Sequence, residues 1–141
     1  MRTIHFLTYQ EIFDRAVEHL GEQRRTALLP KGGAAYRASC SGCPIGSFIR
    51  PADYASSMEG VPVRYLLGPA LGRPPYMDAG VAALRKALLR AKINVYDERT
   101  ISLLSCLQNV HDVFGIWEWH DRLMSIAREY GLNAERMRRV A

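Results

Sequence analysis

The chain has 141 residues, of which 48% are hydrophobic and 23% charged. These values are typical of one folded domain and exclude a disordered chain. Nineteen lysines and arginines against 14 acids give a formal net charge of +5. No apolar run approaches the roughly 20 residues of a membrane span, and no secretory signal is recognisable. Three cysteines without an export signal predict free thiols in a reducing, cytoplasmic compartment and no membrane contact.

The first predicted helix covers residues 8–21. Thr8 and Glu11 have the spacing of a capping box, in which each side chain bonds the other residue's backbone amide. Apolar residues then recur at helical intervals, and Gly21 suits the left-handed conformation that ends a helix. The positions expected to face the core are Ile12, Phe13, Ala16, Val17 and Leu20.

The middle of the chain is rich in proline and glycine and predicts a long irregular region. Pro44 and Pro51 suit the first turns of helices, so we expect helical structure over 44–58. Two segments are candidates for short strands, residues 3–7 and residues 61–66. A single helical turn is the alternative for the second of these segments.

The second half is more regular and predicts helices near 77–92, 98–114 and 115–131, followed by a basic tail at 133–141. Gly131 and Leu132 have the order expected where a helix ends in a Schellman motif. The predicted fold class is therefore mainly α. We expect a compact single domain, residues 1–141, with an irregular middle.

Cys40 and Cys43 are separated by two residues, and this spacing has three interpretations. A structural zinc site requires four ligands, and no second pair of suitable spacing exists. A redox pair is favoured at a helix N-terminus but is usually accompanied by a βαβ pattern, which this chain lacks. The third interpretation is a thiol-containing packed turn. We favour that reading, with no metal and no cofactor.

Two His-Asp steps, His111-Asp112 and His120-Asp121, lie nine residues apart. On one continuous helix they would face opposite directions and could not share a metal ion. They would meet only if Gly115 breaks the helix and folds the chain back. We therefore expect each histidine at a helix edge rather than in a catalytic site.

Trp117 and Trp119 flank Glu118, and on a helix only one of the two indoles is expected to face the core. The other is a candidate anchor for a partner protein, because Trp and Arg dominate interface hot spots. The candidate interface comprises Trp117, Trp119, Arg136, Arg138 and Arg139.

Several short motifs also resemble those of an uncharacterised family of small phage and prophage proteins. They are Tyr36-Arg37, Cys43-Pro44-Ile45-Gly46, Tyr54 with Met58-Glu59-Gly60, and Leu107-Gln108 with His111-Asp112. The chain departs from the family pattern at Pro44 and in its extra Cys40. The resemblance implies an accessory protein of a phage or prophage in the bacterial cytoplasm. It also implies one polar cluster of Tyr36, Arg37, Cys43, Glu59, Gln108, His111 and Asp112.

No complete set of catalytic residues is recognisable in the sequence, which favours a non-enzymatic protein that acts by binding another protein. A nucleic-acid-binding regulator is the alternative, suggested by the net charge, by Arg85, Lys86 and Arg90, and by the C-terminal arginines. A small enzyme or metal protein built on Cys43, His111 and Asp112 is the second alternative, and Cys–His chemistry would require the thiol and imidazole to lie within hydrogen-bond reach. The oligomeric state stays open.

Overall fold

The computed structural model describes residues 5–27, 44–67 and 74–137. Within these ranges the chain is mainly helical and has no β-strand, which confirms the predicted fold class. The four α-helices are α1 (Tyr9–Ala27), α2 (Asp78–Arg90), α3 (Glu98–Val113) and α4 (Trp119–Tyr130). Short 3-10 helices occupy Gly46–Phe48, Pro51–Asp53, Ser56–Met58, Val63–Leu66, Pro75–Met77 and Ile116–Glu118.

Helix α1 begins with the predicted capping box. The Thr8 amide donates to Glu11 Oε1 at 3.0 Å, and the Glu11 amide donates to Thr8 Oγ1 at 3.1 Å. These bonds lower the pKa of the Glu11 carboxyl. The five predicted core positions of this helix are all buried. The predicted end at Gly21 is wrong, because Gly21 is buried within the helix, lacks a left-handed φ, and is followed by six more helical residues.

The predicted helical structure over 44–58 forms as three separate 3-10 turns rather than as continuous helix. Proline forces the residue before it into extended backbone, and Arg50 before Pro51 has φ −68° and ψ 145°. The segment 61–66 is not a strand, because Val63–Leu66 forms the helical turn that was its alternative. The Pro51–Asp53 turn buries no side chain. Elsewhere in this segment apolar side chains face inward, and Ile45, Phe48, Met58 and Val63 are buried.

Helix α2 packs against three of the 3-10 turns: Pro51–Asp53, Ser56–Met58 and Val63–Leu66. A Cβ built on Gly80 would lie 2.1 Å from the carbonyl oxygen of Ser57 and 2.9 Å from Val61 Cγ2. Only a glycine allows the Ser56–Met58 turn to approach the helix so closely. Asp53 adds polar attachment, because its carboxylate lies 3.5 Å from the Arg90 guanidinium. The close approach therefore holds the Ser56–Met58 turn against α2.

Helix α2 ends in a Schellman motif with an unusual residue in the left-handed position. Lys92 has φ +67°, the only positive φ of a non-glycine residue in the described ranges. The Ile93 amide donates to the Leu88 carbonyl at 3.0 Å, and the Lys92 amide donates to the Leu89 carbonyl at 3.0 Å. The Lys92 carbonyl accepts from the Leu7 amide at 2.8 Å. In the predicted strand 3–7, residues 5–7 form no strand, and the first two lie outside the described residues.

Helix α3 lies at the centre of the fold, where it packs against α1, α4 and the Val63–Leu66 turn. Its start is tied to α1, because Asp97 Oδ2 accepts from the Tyr9 hydroxyl at 2.5 Å and from the Thr100 hydroxyl at 2.7 Å. These bonds lower the pKa of Asp97, and the same contact raises the pKa of Tyr9. The buried side chains of α3 are Thr100, Ile101, Leu103, Leu104, Leu107 and Val110.

The predicted helix 115–131 consists of the Ile116–Glu118 turn followed by α4. Its Schellman end forms as expected: Gly131 has φ +64°, and the Leu132 amide donates to the Ala127 carbonyl at 2.7 Å. Beyond this point the chain returns along α1. Gln10 Nε2 donates to the Asn133 carbonyl, and the Asn133 amide donates to Gln10 Oε1, both at 2.8 Å. No described helix combines the length and apolar character that crossing a bilayer requires.

Candidate functional site

Four residues of the expected polar cluster lie in the described part of the chain. His111 Nδ1 and Asp112 Oδ1 are 2.8 Å apart and form a hydrogen-bonded pair. Gln108 accepts a hydrogen bond of 3.0 Å from the Val63 amide, which attaches the Val63–Leu66 turn to α3. Glu59 accepts from the Tyr54 hydroxyl. The remaining expected members, Tyr36, Arg37 and Cys43, lie outside the described residues, as does Cys40.

The His111 side chain is mostly enclosed, with 6% of its surface exposed, whereas 45% of the Asp112 side chain is exposed. Its ring centroid lies 6.0 Å from that of Trp119, with the ring planes tilted by 35°. An imidazole oriented by a carboxylate can serve as a general base when a nucleophile lies within hydrogen-bond reach. The described thiol, Cys106, is half-buried, and burial raises its pKa, which disfavours the reactive thiolate.

The second His-Asp step lies on the other side of a reversal of the chain. Helix α3 ends at Val113, and Gly115 precedes the Ile116–Glu118 turn, so α3 and α4 are separate helices that pack together. His120 and Asp121 are exposed in the first turn of α4. Among the described residues, no group of three or more His, Cys, Asp or Glu side chains is placed to hold a metal ion.

The two tryptophans have opposite environments. Trp119 is 5% exposed, and its indole Nε1 donates to the Phe114 carbonyl at 3.0 Å. Trp117 is 72% exposed. The expectation that one indole faces the core is thus confirmed. The inclusion of Trp119 in the candidate interface is wrong, because this indole is a core residue that positions the reversal from within.

Trp117 lies at the reversal between α3 and α4. We use the name corner patch for three of the apolar residues of this reversal: Val113, Phe114 and Trp117. Val113 is the last residue of α3, and 67% of its surface is exposed. The Phe114 ring is partly buried and is covered by the Arg122 guanidinium, whose central carbon lies 4.0 Å from the ring centroid. This geometry is a cation–π contact.

The backbone beneath the corner patch is held by specific hydrogen bonds. The Glu118 amide donates to the Gly115 carbonyl at 2.8 Å, which closes the turn that carries Trp117. The Trp119 indole fixes the Phe114 carbonyl from the core side. The exposed side chains therefore project from a preorganised backbone. Preorganisation reduces the entropy lost on binding.

The cations expected near the C-terminus are partly engaged within the molecule. The Arg136 guanidinium donates to the Glu18 carboxylate of α1, and the neighbouring Met137 is buried. Arg138 and Arg139 lie outside the described residues. The described ranges contain 13 of the 19 cations and all 14 acids. The net charge of the described residues is therefore close to zero.

Trp117 was predicted from the sequence as part of the candidate interface, whereas Val113, Phe114 and Arg122 were not. A signal was present, because Val113 and Phe114 directly precede the helix-breaking Gly115, where apolar side chains can lie outside a helical stripe. Comparisons with family models, curated proteins and solved structures found no match to this chain. The function is therefore argued from the geometry of the corner patch.

Proposed function

We propose that this protein is a non-enzymatic binding protein that recognises another protein through the corner patch. The observation that carries the proposal is the exposure of Trp117, 72%, on a turn closed by a hydrogen bond, together with that of Val113, 67%, at the end of α3. Single exposed apolar residues are common on protein surfaces, but Trp and Arg are enriched in interface hot spots, and Trp117 belongs to the same reversal as Phe114, which Arg122 covers. The resemblance to phage and prophage proteins supports an accessory role in a bacterial cell.

The test uses site-specific photo-crosslinking in bacterial cells that express the full chain. A benzophenone amino acid replaces Val113 in one variant, which keeps Trp117 intact, and Tyr96 in the control. Tyr96 is 75% exposed and lies just before α3, whereas the corner patch lies at its other end. The 16 residues of α3 span about 24 Å, so the two positions sample different surfaces. We expect one discrete crosslinked protein from position 113 and none of that mass from position 96.

The purified partner then provides the quantitative test. Trp117→Ala is expected to weaken binding by about 30-fold or more, because hot-spot tryptophans contribute about 2 kcal/mol or more. Tyr96→Ala should bind like the wild type. Equal crosslinking at both positions, no crosslinked product at position 113, or unchanged affinity of Trp117→Ala would each overturn the proposal.

A nucleic-acid-binding regulator is the second candidate, and one observation favours it. Between Asp78 and Asp97 the chain carries four cations and no acid, and three of them, Lys86, Arg90 and Lys92, are exposed. Binding through such a face would weaken steeply with salt, because phosphate contacts release counterions. Filter retention of DNA or RNA at low salt, lost in Lys86→Ala/Lys92→Ala, would establish this function. No retention would remove it.

An enzyme or metal protein based on Cys43, His111 and Asp112 is the third candidate. The His111–Asp112 pair exists, and Cys43 lies outside the described residues. Stoichiometric zinc in purified protein that is lost in Cys43→Ser would support this candidate. Protein free of zinc that also retains full partner binding in Cys43→Ser would exclude the metal site.

A further inference from the structure

The charges that surround the corner patch are predominantly negative. Asp112 adjoins Val113, and Glu118 adjoins Trp117 in the chain. Asp121 lies in the first turn of α4, four residues after Trp117 in the chain. All three acids are exposed. The nearby cation Arg122 is stacked on the Phe114 ring.

This local charge agrees with a wider division of charge along the chain. Residues 97–137, which contain α3 and α4, carry seven acids and four cations. The described residues of 44–96 carry six cations and three acids. The corner patch therefore belongs to the acidic part of a chain whose net charge is positive. Electrostatic complementarity determines which partners can approach such a face, because like charges brought together are strongly unfavourable.

From this arrangement, and resting on the proposed function, we infer that the partner of the corner patch is a protein segment with apolar anchors flanked by lysines or arginines. The apolar anchors would cover Trp117 and Val113, while the flanking cations would pair with Asp112, Glu118 and Asp121. A nucleic acid or an anionic lipid surface does not fit this face, because its phosphates would meet the same carboxylates. A twofold dimer through the patch is also disfavoured, since it would place identical acidic rims against each other.

The acids also have a structural explanation, which the test must separate from recognition. Glu118 and Asp121 lie at the N-terminus of α4, where negative charge stabilises a helix through its dipole. Asp112 bonds to His111, so its replacement would disturb the packing of that ring on Trp119. The informative variant is therefore Glu118→Gln/Asp121→Asn. Its matched control is Glu129→Gln/Glu135→Gln, which removes the same charge from other exposed positions of residues 97–137.

The probes are two fluorescein-labelled helical peptides of identical apolar face, one flanked by lysines and the other by glutamates. Their dissociation constants are measured by fluorescence anisotropy with the full chain at low and moderate salt. We expect the lysine peptide to bind at least tenfold more tightly than the glutamate peptide, with the preference decreasing as salt increases. Glu118→Gln/Asp121→Asn should reduce the preference at least threefold, whereas the control pair should retain it. Circular dichroism and urea unfolding verify that each variant is folded.

The outcomes separate the partner inference from the proposed function. If Trp117→Ala weakens both peptides but neither the peptide charge nor the acid pair matters, the corner patch binds protein and the inference about a basic partner is wrong. If Trp117→Ala leaves both affinities unchanged, the proposed binding surface itself is wrong. Concentration-dependent dimerisation in sedimentation experiments that is lost in Trp117→Ala would identify a second copy as the occupant and would also overturn the inference.

Discussion

Replacing Gly80 with alanine tests the contact that holds the Ser56–Met58 turn against α2. The added Cβ would lie 2.1 Å from the Ser57 carbonyl oxygen and 3.0 Å from its carbonyl carbon. Both atoms belong to the backbone, so no side-chain rotation can relieve the overlap. The Ser56–Met58 turn must therefore move away from the helix. Met58 and Val61, which are buried in the wild type, would lose part of their packing.

Two effects of opposite sign decide the magnitude for Gly80→Ala. Alanine is favoured over glycine within a helix by about 1 kcal/mol. Overpacking typically costs about 1–3 kcal/mol, and partial exposure of Met58 and Val61 adds to it, since full burial of such a side chain contributes about 1.5–3 kcal/mol. We expect a net loss of about 2–3 kcal/mol in the free energy of unfolding. Urea denaturation with linear extrapolation measures this difference.

A matched control is Gly115→Ala. Gly115 has φ −69° and no atom within 4 Å of an added Cβ, so the same chemical change should be neutral or slightly stabilising. A second variant, Gly80→Ala/Val61→Ala, shortens the side chain near the new Cβ but leaves the Ser57 carbonyl in place. It should not recover stability. A Gly80→Ala protein as stable as the wild type, or rescue by Val61→Ala, would refute the proposed backbone contact.

The remaining predictions concern the helix ends and the contacts of α1. Lys92→Gly should raise the free energy of unfolding by about 1 kcal/mol, because glycine adopts the left-handed φ of +67° without strain. Gly131→Ala should lower the free energy of unfolding by a similar amount, and urea denaturation of both variants tests whether the two changes have opposite signs. Gln10→Ala should cost about 1–2 kcal/mol, because it removes two hydrogen bonds to the segment after α4, and it should speed amide exchange in that segment. The depressed pKa of Asp97 means that its stabilisation is present above about pH 4 and is lost as the pH falls. Tyr9→Phe removes the main cause of that shift, so its stability should depend less on pH between neutral pH and pH 3, and an unchanged acid dependence would contradict the assignment.

Local sequence signals determined the helices with well-defined ends. Thr8 and Glu11 lie three residues apart, and the capping box needs only that spacing and the chain's own amides. Gly131 followed by Leu132 is likewise sufficient for a Schellman end. In both cases the stabilising partners lie within one or two turns, so the sequence alone contains the required information.

Features that depend on distant contacts were decided by the tertiary structure. Gly21 was expected to end α1, but it is buried, and the helix continues through it. The turns of the middle segment have no strong local preference for helix or strand, and one of them lies against α2 because Gly80 permits the approach. Their conformation therefore depends on a surface formed by residues far along the chain.

The candidate site shows the same division. The spacing of Trp117 and Trp119 was enough to predict that one indole is buried and the other exposed. Which of the two is exposed depends on where α3 ends and on how α4 packs back against it. The reversal at Gly115 resets the helical phase, places Trp119 in the core and leaves Trp117 exposed. The sequence alone predicts that one of the two tryptophans is exposed, and only the packing of α3 against α4 decides which one.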